Sequence, residues 1–345
     1  MPIPPIDTDE HTWGELKSTW QDSDPSTTVP VGGDILFVAS CVRTAGIPRL
    51  ATWFTDTSCG LDGVLLVVQF SNGGSVSSEG SAVMIGPGVA LCARQVVEPH
   101  LDKIATGSTV MPAIGLLTEE GVLQHWSATR GTAIARSDLC ILSLELASPL
   151  SDARPIRLAR ISTRSPRVGE LLTMFGFRSL SGAVARGGVL QGGVIACKGP
   201  VAKVWTGGRD RVLLPSPVLE VDCPAFGGMS GGPVFDEWGY LVGLVSSSID
   251  DGGQGGPTYV SMLYPAMNHP FSGGWPEGLI KGQTTLLEME SCPIAGRDFL
   301  TIERDPASGT VAYHVQEWDF ASEGSGSSHE SHAPVVGVAR RNHSS

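Results

Sequence analysis

The 345-residue chain is long enough to bury one large core or two smaller ones, and 41% of its residues are hydrophobic, as in globular proteins. Its formal net charge is -12 at pH 7, from 35 acidic and 23 basic side chains. Because non-specific affinity for nucleic acid comes from clustered Lys and Arg, this balance excludes strong binding to a phosphate backbone.

The start of the chain, MPIPPIDTDEHTWGELK, has no basic segment followed by an apolar one, and no apolar run reaches about 18 residues. We therefore expect neither an export signal nor a membrane span. The seven cysteines lack CxxC spacing, and several lie in apolar, strand-like segments. Buried free thiols in the reducing cytoplasm are the favoured interpretation, with disulfides as the alternative.

Residues 1–33 are rich in Pro, Asp, Ser and Thr, and we expect a flexible N-terminal arm with a possible short helix around Trp13 to Trp20. A lead-in segment, residues 34–60, contains the first strand candidate, ILFVASCV. Further short apolar segments then follow one another between turn residues: GVLLVVQF, SAVMIG, VALCA, LCILSLEL, GELLTMFGF, GGVLQGGVIAC, RVLLPSPVLEV, GPVFD, YLVGLVSS and PTYVSML. No long amphipathic helix interrupts them, so the pattern predicts an all-β protein built from antiparallel barrels.

The remaining two segments differ from the strand series. Residues 269–322 contain FLTIERDPASGTVAYHV, which predicts a hairpin turned by Asp-Pro-Ala-Ser-Gly. We interpret this segment as a short C-terminal appendage to the barrels. Residues 323–345 are rich in Ser, Gly and His and predict a disordered tail, because they cannot bury enough apolar area to offset the entropy of ordering.

The most specific motif is Gly-Met-Ser-Gly-Gly-Pro at 228–233, followed by VFDEWGYLVGL. It resembles the serine motif of the trypsin-like (chymotrypsin-fold) serine peptidases, in which glycines let the backbone turn sharply beside the nucleophile. The resemblance implies that Ser230 is the nucleophile. It also implies that the N–H groups of Gly228 and Ser230 form the oxyanion hole. A glycine-rich hairpin without chemistry is the structural alternative.

Two upstream segments extend the resemblance in the family's order. SDLCILSLE at 137–145 is similar to the segment whose aspartate orients the catalytic histidine, which implies that role for Asp138. SAVMIGPGVALCARQVVEPH at 81–100 is similar to the segment that ends in Thr-Ala-x-His-Val-Val, and here Gln95 occupies the histidine position. The fit implies two antiparallel six-stranded β-barrels, residues 61–155 and 156–268, with an active-site cleft between them.

Gln95 departs from the family at its catalytic base. A primary amide cannot take the serine proton and return it to a leaving amine. It could still donate an amide N–H to Asp138 and accept a hydrogen bond from Ser230, which would keep the cleft formed.

The other histidines do not replace the missing base. Even on a continuous helix His100 would lie about 140° around and 7.5 Å along from Gln95, and Pro99 interrupts that turn. We interpret His125 as a solvent-facing loop or strand histidine. A histidine of the tail, or one supplied by a peptide substrate, is the open alternative.

The resemblance also assigns substrate-binding residues. GYLVGLVSSS resembles the strand against which an extended substrate pairs, with Ser246, Ser247 and Ser248 at its edge. Pro224 occupies the base of the primary specificity pocket, where an acidic residue would favour Lys or Arg. Preference for a basic residue is therefore not expected.

The sequence thus favours a degenerate, histidine-less pseudopeptidase that binds a peptide or a partner protein. The alternative is a serine endopeptidase that hydrolyses peptide bonds through Ser230 with weak or substituted base activation. A scaffold role of the appendage and the two ends of the chain is a third possibility. We expect no cofactor and no metal, because the histidines lack ligand-like spacing and no Gly-rich phosphate loop leads from a strand into a helix.

Overall fold

Short strands provide almost all of the regular structure, as the apolar segments and turn residues predict. The computed structural model describes residues 13–19, 34–43, 64–72, 75–106, 112–117, 122–147, 156–179, 184–185, 189–210, 214–248, 257–304 and 311–316. The predicted disordered tail lies outside the described residues. No helix in these ranges is long and apolar enough to cross a membrane.

Two strands precede the first barrel, β1 (Trp13–Thr19) and β2 (Asp34–Arg43). They pair antiparallel, with Trp13 opposite Ser40 and Thr19 opposite Asp34. The possible helix around Trp13 to Trp20 is therefore wrong, and the expected arm contains a strand. Its backbone groups find partners on a distant segment, which local sequence does not reveal.

Six strands form the N-terminal barrel: β3 (Leu65–Asn72), β4 (Ser75–Gly86), β5 (Val89–Cys92), β6 (Pro112–Leu117), β7 (Val122–Ala133) and β8 (Cys140–Leu146). They are hydrogen-bonded in the order β4-β3-β6-β7-β8-β5, and β5 also pairs with β4, which closes the barrel. After β5 come helix α1 (Arg94–Val97), a 3-10 turn (Glu98–His100) and helix α2 (Leu101–Ala105).

The next eight strands are β9 (Ile161–Ser162), β10 (Leu171–Ser179), β11 (Val184–Ala185), β12 (Val189–Trp205), β13 (Val218–Val221), β14 (Pro233–Phe235), β15 (Leu241–Ser248) and β16 (Thr258–Met262), and all except β11 belong to the second barrel sheet. Its main path runs β12-β10-β14-β15-β16-β13, and β13 pairs again with β12, so the path returns to its start. The short β11 instead pairs with β4 of the first barrel, and β2 lies parallel to the first half of β12. The predicted two-barrel, all-β architecture is confirmed.

The segment after β16 begins with helix α3 (Tyr264–Met267). It continues through β17 (Ile294–Ala295), a 3-10 turn (Arg297–Phe299), β18 (Leu300–Arg304) and β19 (Val311–Val315). The predicted hairpin is present as the antiparallel pair β18–β19. Leu286, Met289 and Leu300 are buried in the same core as the second barrel, so this segment packs as part of it.

The strands of the first barrel bury side chains on both faces. Leu66 and Val68 point into the barrel interior, whereas Leu65 and Val67 join the core shared with the second barrel. Successive side chains of a strand point to opposite faces, so a strand buried on both sides must be apolar throughout. This explains the continuous run LLVV in β3, and it places residues of β4 and β5 at the junction of the two barrels.

Candidate active site

Ser230 lies in a tight loop between β13 and β14, and two glycines after it allow the loop to approach other backbone closely. Gly231 has a φ of 81°, and a Cβ on it would lie 2.1 Å from the Ser81 carbonyl oxygen. A Cβ on Gly232 would lie 1.9 Å from the Phe175 carbonyl oxygen. No larger residue fits at either position without a shift of backbone, which explains the Ser-Gly-Gly sequence.

Ser81, on β4 of the first barrel, anchors this loop. Its backbone N–H donates to the Ser230 carbonyl oxygen at 2.8 Å, and its hydroxyl donates to the Gly228 carbonyl oxygen at 2.8 Å. The same hydroxyl accepts a hydrogen bond of 2.8 Å from the N–H of Phe177 on β10. One fully buried serine therefore links the first barrel to two segments of the second.

The resemblance assigns the oxyanion hole to two N–H groups of the serine loop, those of Gly228 and Ser230. Neither the N–H of Gly228 nor that of Ser230 donates a hydrogen bond to any residue within the described ranges. Both residues are half-buried, and the φ of Gly228 is 94°, a left-handed conformation that favours glycine. Since the carbonyl groups of Gly228 and Ser230 are bound by Ser81, the loop is held while its two N–H groups remain available.

Gln95 and Asp138 meet at the junction of the barrels, as the resemblance implies. Gln95 lies in α1, directly after β5, and Asp138 lies in the loop between β7 and β8. The Gln95 backbone N–H donates to Asp138 Oδ1 at 2.9 Å, and the Ser246 hydroxyl donates to Asp138 Oδ2. Both carboxylate oxygens thus have donors, but neither donor is the Gln95 side chain.

The Gln95 side chain points to Ser230 and Ser246. Its Nε2 donates to the Ser246 carbonyl oxygen and lies 3.4 Å from Ser230 Oγ. The expectations that the Gln95 side chain donates to Asp138 and accepts a hydrogen bond from Ser230 are therefore both wrong. The backbone N–H already satisfies one oxygen of Asp138 and Ser246 satisfies the other, so the longer amide side chain reaches past the carboxylate.

The buried environment of Asp138 affects its ionisation. Burial raises the pKa of the Asp138 carboxyl, because the charged form loses its hydration. The hydrogen bonds from Ser246 and from the backbone N–H of Gln95, together with the positive charge of Arg94, oppose that shift in pKa. The Asp138 side chain is only 8% exposed, so these partners take the place of water.

The predicted substrate-binding serines lie at the end of β15, and their surroundings differ. Ser246 is buried, and both its hydroxyl and its carbonyl oxygen are bound within the Gln95–Asp138 cluster. Ser247 and Ser248 are paired with Tyr259 and Thr258 of β16 on one side of the strand. Pro224 is half-buried six residues before Ser230.

The described histidines make contacts away from Ser230. His100 stacks on Phe70, with ring centroids 3.6 Å apart, and His314 lies 3.3 Å from Glu303 in the terminal hairpin. His125 is buried in β7 and only 7% exposed, so the expectation of a solvent-facing position is wrong. Burial lowers the pKa of His125 to about 4. Among the histidines of the described ranges, none is hydrogen-bonded to Ser230.

Cys92, the last residue of β5, is a buried packing residue close to the serine loop. Its thiol donates to the Ser81 carbonyl oxygen at 3.2 Å, and burial raises its pKa well above the usual value. A thiol held in the neutral form is a poor nucleophile. In the ranges that the structure describes, no three His, Cys, Asp or Glu side chains cluster as metal ligands would.

The sequence did not point to Ser81 or to the role of Ser246 in orienting Asp138. A signal for Ser81 exists in SAVMIG, where it shares the face of Val83 and Ile85, both buried in the shared core. A polar side chain on a buried face requires hydrogen-bond partners. The sequence gives no comparable indication that Ser246 is buried, because three consecutive serines at the end of a strand predict an exposed edge.

These features define an all-β protein with a trypsin-like two-barrel fold. Residues 80–244 match the family model described as the trypsin-like peptidase domain. The matched residues extend from β4 to β15 and include Gln95, Asp138 and Ser230. A comparison with curated proteins found no similar sequence.

Solved structures similar to this chain include several proteases. Rv3671c from M. tuberculosis H37Rv, in an inactive form, is 14% identical, with 59% of this chain and 82% of that chain covered and a TM-score of 0.38. Deg5 is 15% identical, with 59% and 85% covered and a TM-score of 0.41. The MamO protease domain from Magnetospirillum magneticum is 16% identical, with 59% and 94% covered and a TM-score of 0.38.

Proposed function

We propose that this chain is a pseudopeptidase that binds an extended peptide or a segment of a partner protein in the cleft without hydrolysing it. The observation that carries the proposal is the position of the Gln95 amide. Its Nε2 faces Ser230 as a hydrogen-bond donor, and the acceptor of the Ser230 hydroxyl, the Ser246 carbonyl oxygen, is too weak a base to take the proton. Acyl transfer requires a base at this point, to take the proton as Ser230 attacks.

The loss of the base has a large expected effect on turnover. Removing a triad base typically lowers kcat about a millionfold, or about 8 kcal/mol of transition-state stabilisation. Oxyanion donors and binding alone leave a rate enhancement of roughly 10³ to 10⁴ over water. Within the described residues no histidine contacts Ser230 to compensate. Any residual hydrolysis is therefore expected to be too slow for a biological role.

Peptide binding in the cleft does not require a catalytic base, whereas hydrolysis does. The serine loop is held by Ser81, the two oxyanion N–H groups have no internal acceptor in the described ranges, and β15 ends at the cleft. An extended peptide beside β15 would add main-chain hydrogen bonds, as in other cases of strand addition. The proposed ligand is therefore a peptide or an exposed segment of a protein.

The cysteines support a reducing location for this activity. Among the described residues Cys92, Cys140, Cys197, Cys223 and Cys292 are buried and form no disulfide bond. Secreted proteins more often use such residues in disulfides. We propose the cytoplasm as the place where the protein binds its ligand.

The test compares the unaltered chain with Gln95→His and with Gln95→His/Ser230→Ala. We expect neither casein hydrolysis nor labelling by a fluorophosphonate in the unaltered chain. We expect labelling to appear in Gln95→His and to disappear again in the double variant, because the cleft is formed and lacks only its base.

Ser230-dependent casein hydrolysis by the unaltered chain would refute the proposal and establish the endopeptidase alternative. The control for that outcome is Ser230→Ala in the natural background, which must abolish the hydrolysis. An absence of labelling in a folded Gln95→His variant would contradict the claim that the rest of the site is preorganised.

A further inference from the structure

The Ser246 carbonyl group determines which atom of the Gln95 amide, nitrogen or oxygen, points towards Ser230. The Ser246 carbonyl oxygen is an acceptor only, so the amide atom that contacts it must be the nitrogen. The same Nε2 lies 3.4 Å from Ser230 Oγ, which consequently accepts from Gln95. The Ser230 hydroxyl proton is then directed to the Ser246 carbonyl oxygen, 3.5 Å from Oγ.

This arrangement reverses the polarity that a neutral catalytic histidine presents to its serine. The nitrogen of a catalytic base directs a lone pair at the serine hydroxyl, whereas the Gln95 amide nitrogen directs an N–H bond at Ser230 Oγ. The N–H groups of Gly228 and Ser230 are two further donors without an acceptor in the described ranges. The cleft around Ser230 therefore has an excess of donors over acceptors.

Asp138 is the nearby charge that opposes an anion in this cleft. It is buried, and its two oxygens accept from the Gln95 backbone N–H and the Ser246 hydroxyl. Arg94 lies close enough to interact favourably with the Asp138 charge. The donors that contact the Asp138 carboxylate are therefore different groups from the N–H groups of Gly228 and Ser230, and Arg94 is also paired with Glu98.

We infer that the cleft binds peptides by a free C-terminal carboxylate, with one carboxylate oxygen on the N–H groups of Gly228 and Ser230. This inference rests on the proposed function, because it specifies the ligand of the same cleft. Without a base the tetrahedral intermediate forms only rarely, so a ligand that already carries negative charge is the best partner for the two N–H groups. Hydrogen bonds to a carboxylate are roughly twice as strong as those to a neutral amide.

The experiment uses the full chain and a panel of fluorescein-labelled hexapeptides in which the last residue is varied. Each peptide is made both as the free acid and as the C-terminal amide, and binding is measured by fluorescence polarisation. We expect the best free acids to bind about tenfold more tightly than their amides, the factor that charge-assisted hydrogen bonds provide. The chain's net charge of -12 opposes a general preference for anions, so the preference must arise locally.

Two variants test whether the preference for a carboxylate depends on the uncharged donor side chain beside Ser230. In Gln95→Glu an acceptor with negative charge replaces the amide, and we expect the preference for free acids to be lost while the amides still bind. Gln283→Glu is the matched control, since Gln283 is exposed and the charge change is the same. That variant is expected to keep the tenfold preference.

The outcomes separate this inference from the function on which it rests. Equal affinity of acids and amides for the unaltered chain would overturn the carboxylate inference and leave peptide binding intact. Binding of neither set would overturn both. A preference retained by a folded Gln95→Glu variant would refute the inference, because a negative charge beside Ser230 must oppose a bound carboxylate.

Discussion

The Gln95 side chain lacks the property that acyl transfer needs, a nitrogen that accepts a proton and later returns it. The position of Gln95 relative to Asp138 and Ser230 follows from sequence, because three motifs occur in the family's order. The hydrogen bonds of Gln95 do not follow from sequence, because they depend on the Ser246 carbonyl group, which is 151 positions away. That carbonyl group makes the amide a donor towards Ser230.

Ser81→Ala tests whether a single buried hydroxyl holds the serine loop. The substitution leaves the Phe177 N–H and the Gly228 carbonyl oxygen without their partner. A buried polar group that loses its hydrogen bond costs about 1–3 kcal/mol, so we expect a loss of that size in the free energy of unfolding in urea. Ser77→Ala, on the same strand but near the surface, is the control and should cost less than about 0.5 kcal/mol.

Equal losses in the two variants would contradict the anchoring role of Ser81. The rate of Ser230 labelling is a second test, because Ser81 binds the carbonyl oxygen of Gly228, which lies in the same loop as the proposed oxyanion donors. In the Gln95→His background, Ser81→Ala should slow fluorophosphonate labelling of Ser230 at a temperature at which the variant is fully folded. An unchanged rate would limit Ser81 to a role in stability.

His125 predicts how stability depends on pH. Burial lowers its pKa in the folded protein to about 4, from an ordinary value of 6.5. Between these values the unfolded chain binds more protons than the folded one, so stability rises with pH across the window and is lost as the pH falls from 6.5 to 4. The contribution is about 3 kcal/mol at most.

The measurement is the free energy of unfolding from pH 7 to pH 4 for the parent chain and for His125→Gln. Taking the difference between the two curves cancels the titration of other groups. We expect the parent to lose up to about 3 kcal/mol more than the variant over this range. Parallel curves would show that His125 is not buried in its neutral form.

In the serine loop, the backbone conformation and close contacts allow only glycine at position 231. Gly231 combines a φ of 81° with a Cβ direction that is blocked by the Ser81 carbonyl oxygen. Gly169 has a similar φ, 91°, but a Cβ there would meet nothing within 4 Å. Replacing Gly169 by alanine therefore measures the free-energy cost of the left-handed backbone alone. Replacing Gly231 measures that cost together with the cost of the steric clash.

Gly169→Ala should cost about 1–2 kcal/mol, the penalty of a left-handed conformation for a residue with a Cβ. Gly231→Ala should cost at least twice as much, because backbone of β4 must also move. Urea unfolding of both variants gives the comparison. Similar costs would mean that the loop adjusts freely and that the close approach to Ser81 does not constrain it.

For the whole molecule, a shared core joins the two barrels and the segment after them. Val83 and Leu91 of the first barrel, Leu244 of the second and Leu300 of the terminal hairpin belong to one buried cluster. The active-site residues lie on this junction, so the geometry of the cleft depends on how the barrels pack. A predicted appendage that shares the core should unfold together with the second barrel.

Leu300→Ala tests this cooperativity. We expect a loss of about 2–5 kcal/mol, as for other buried leucines, with a single unfolding transition seen by both circular dichroism and tryptophan fluorescence. Leu279→Ala in the same segment is the control, because Leu279 is 41% exposed and should cost less than about 0.5 kcal/mol. A separate early transition in Leu300→Ala would show that the segment folds independently.

The sequence by itself determined the all-β class, the hairpin of FLTIERDPASGTVAYHV and the order of Gln95, Asp138 and Ser230. These features depend on local periodicity, turn residues and short motifs, each contained in a few consecutive residues. Tertiary structure decided the strand at Trp13–Thr19, the burial of His125, the anchoring by Ser81 and the direction of the Gln95 amide. The physical reason is that hydrogen bonds across the barrel junction join segments far apart in the chain, and their partners are chosen only when the two barrels pack.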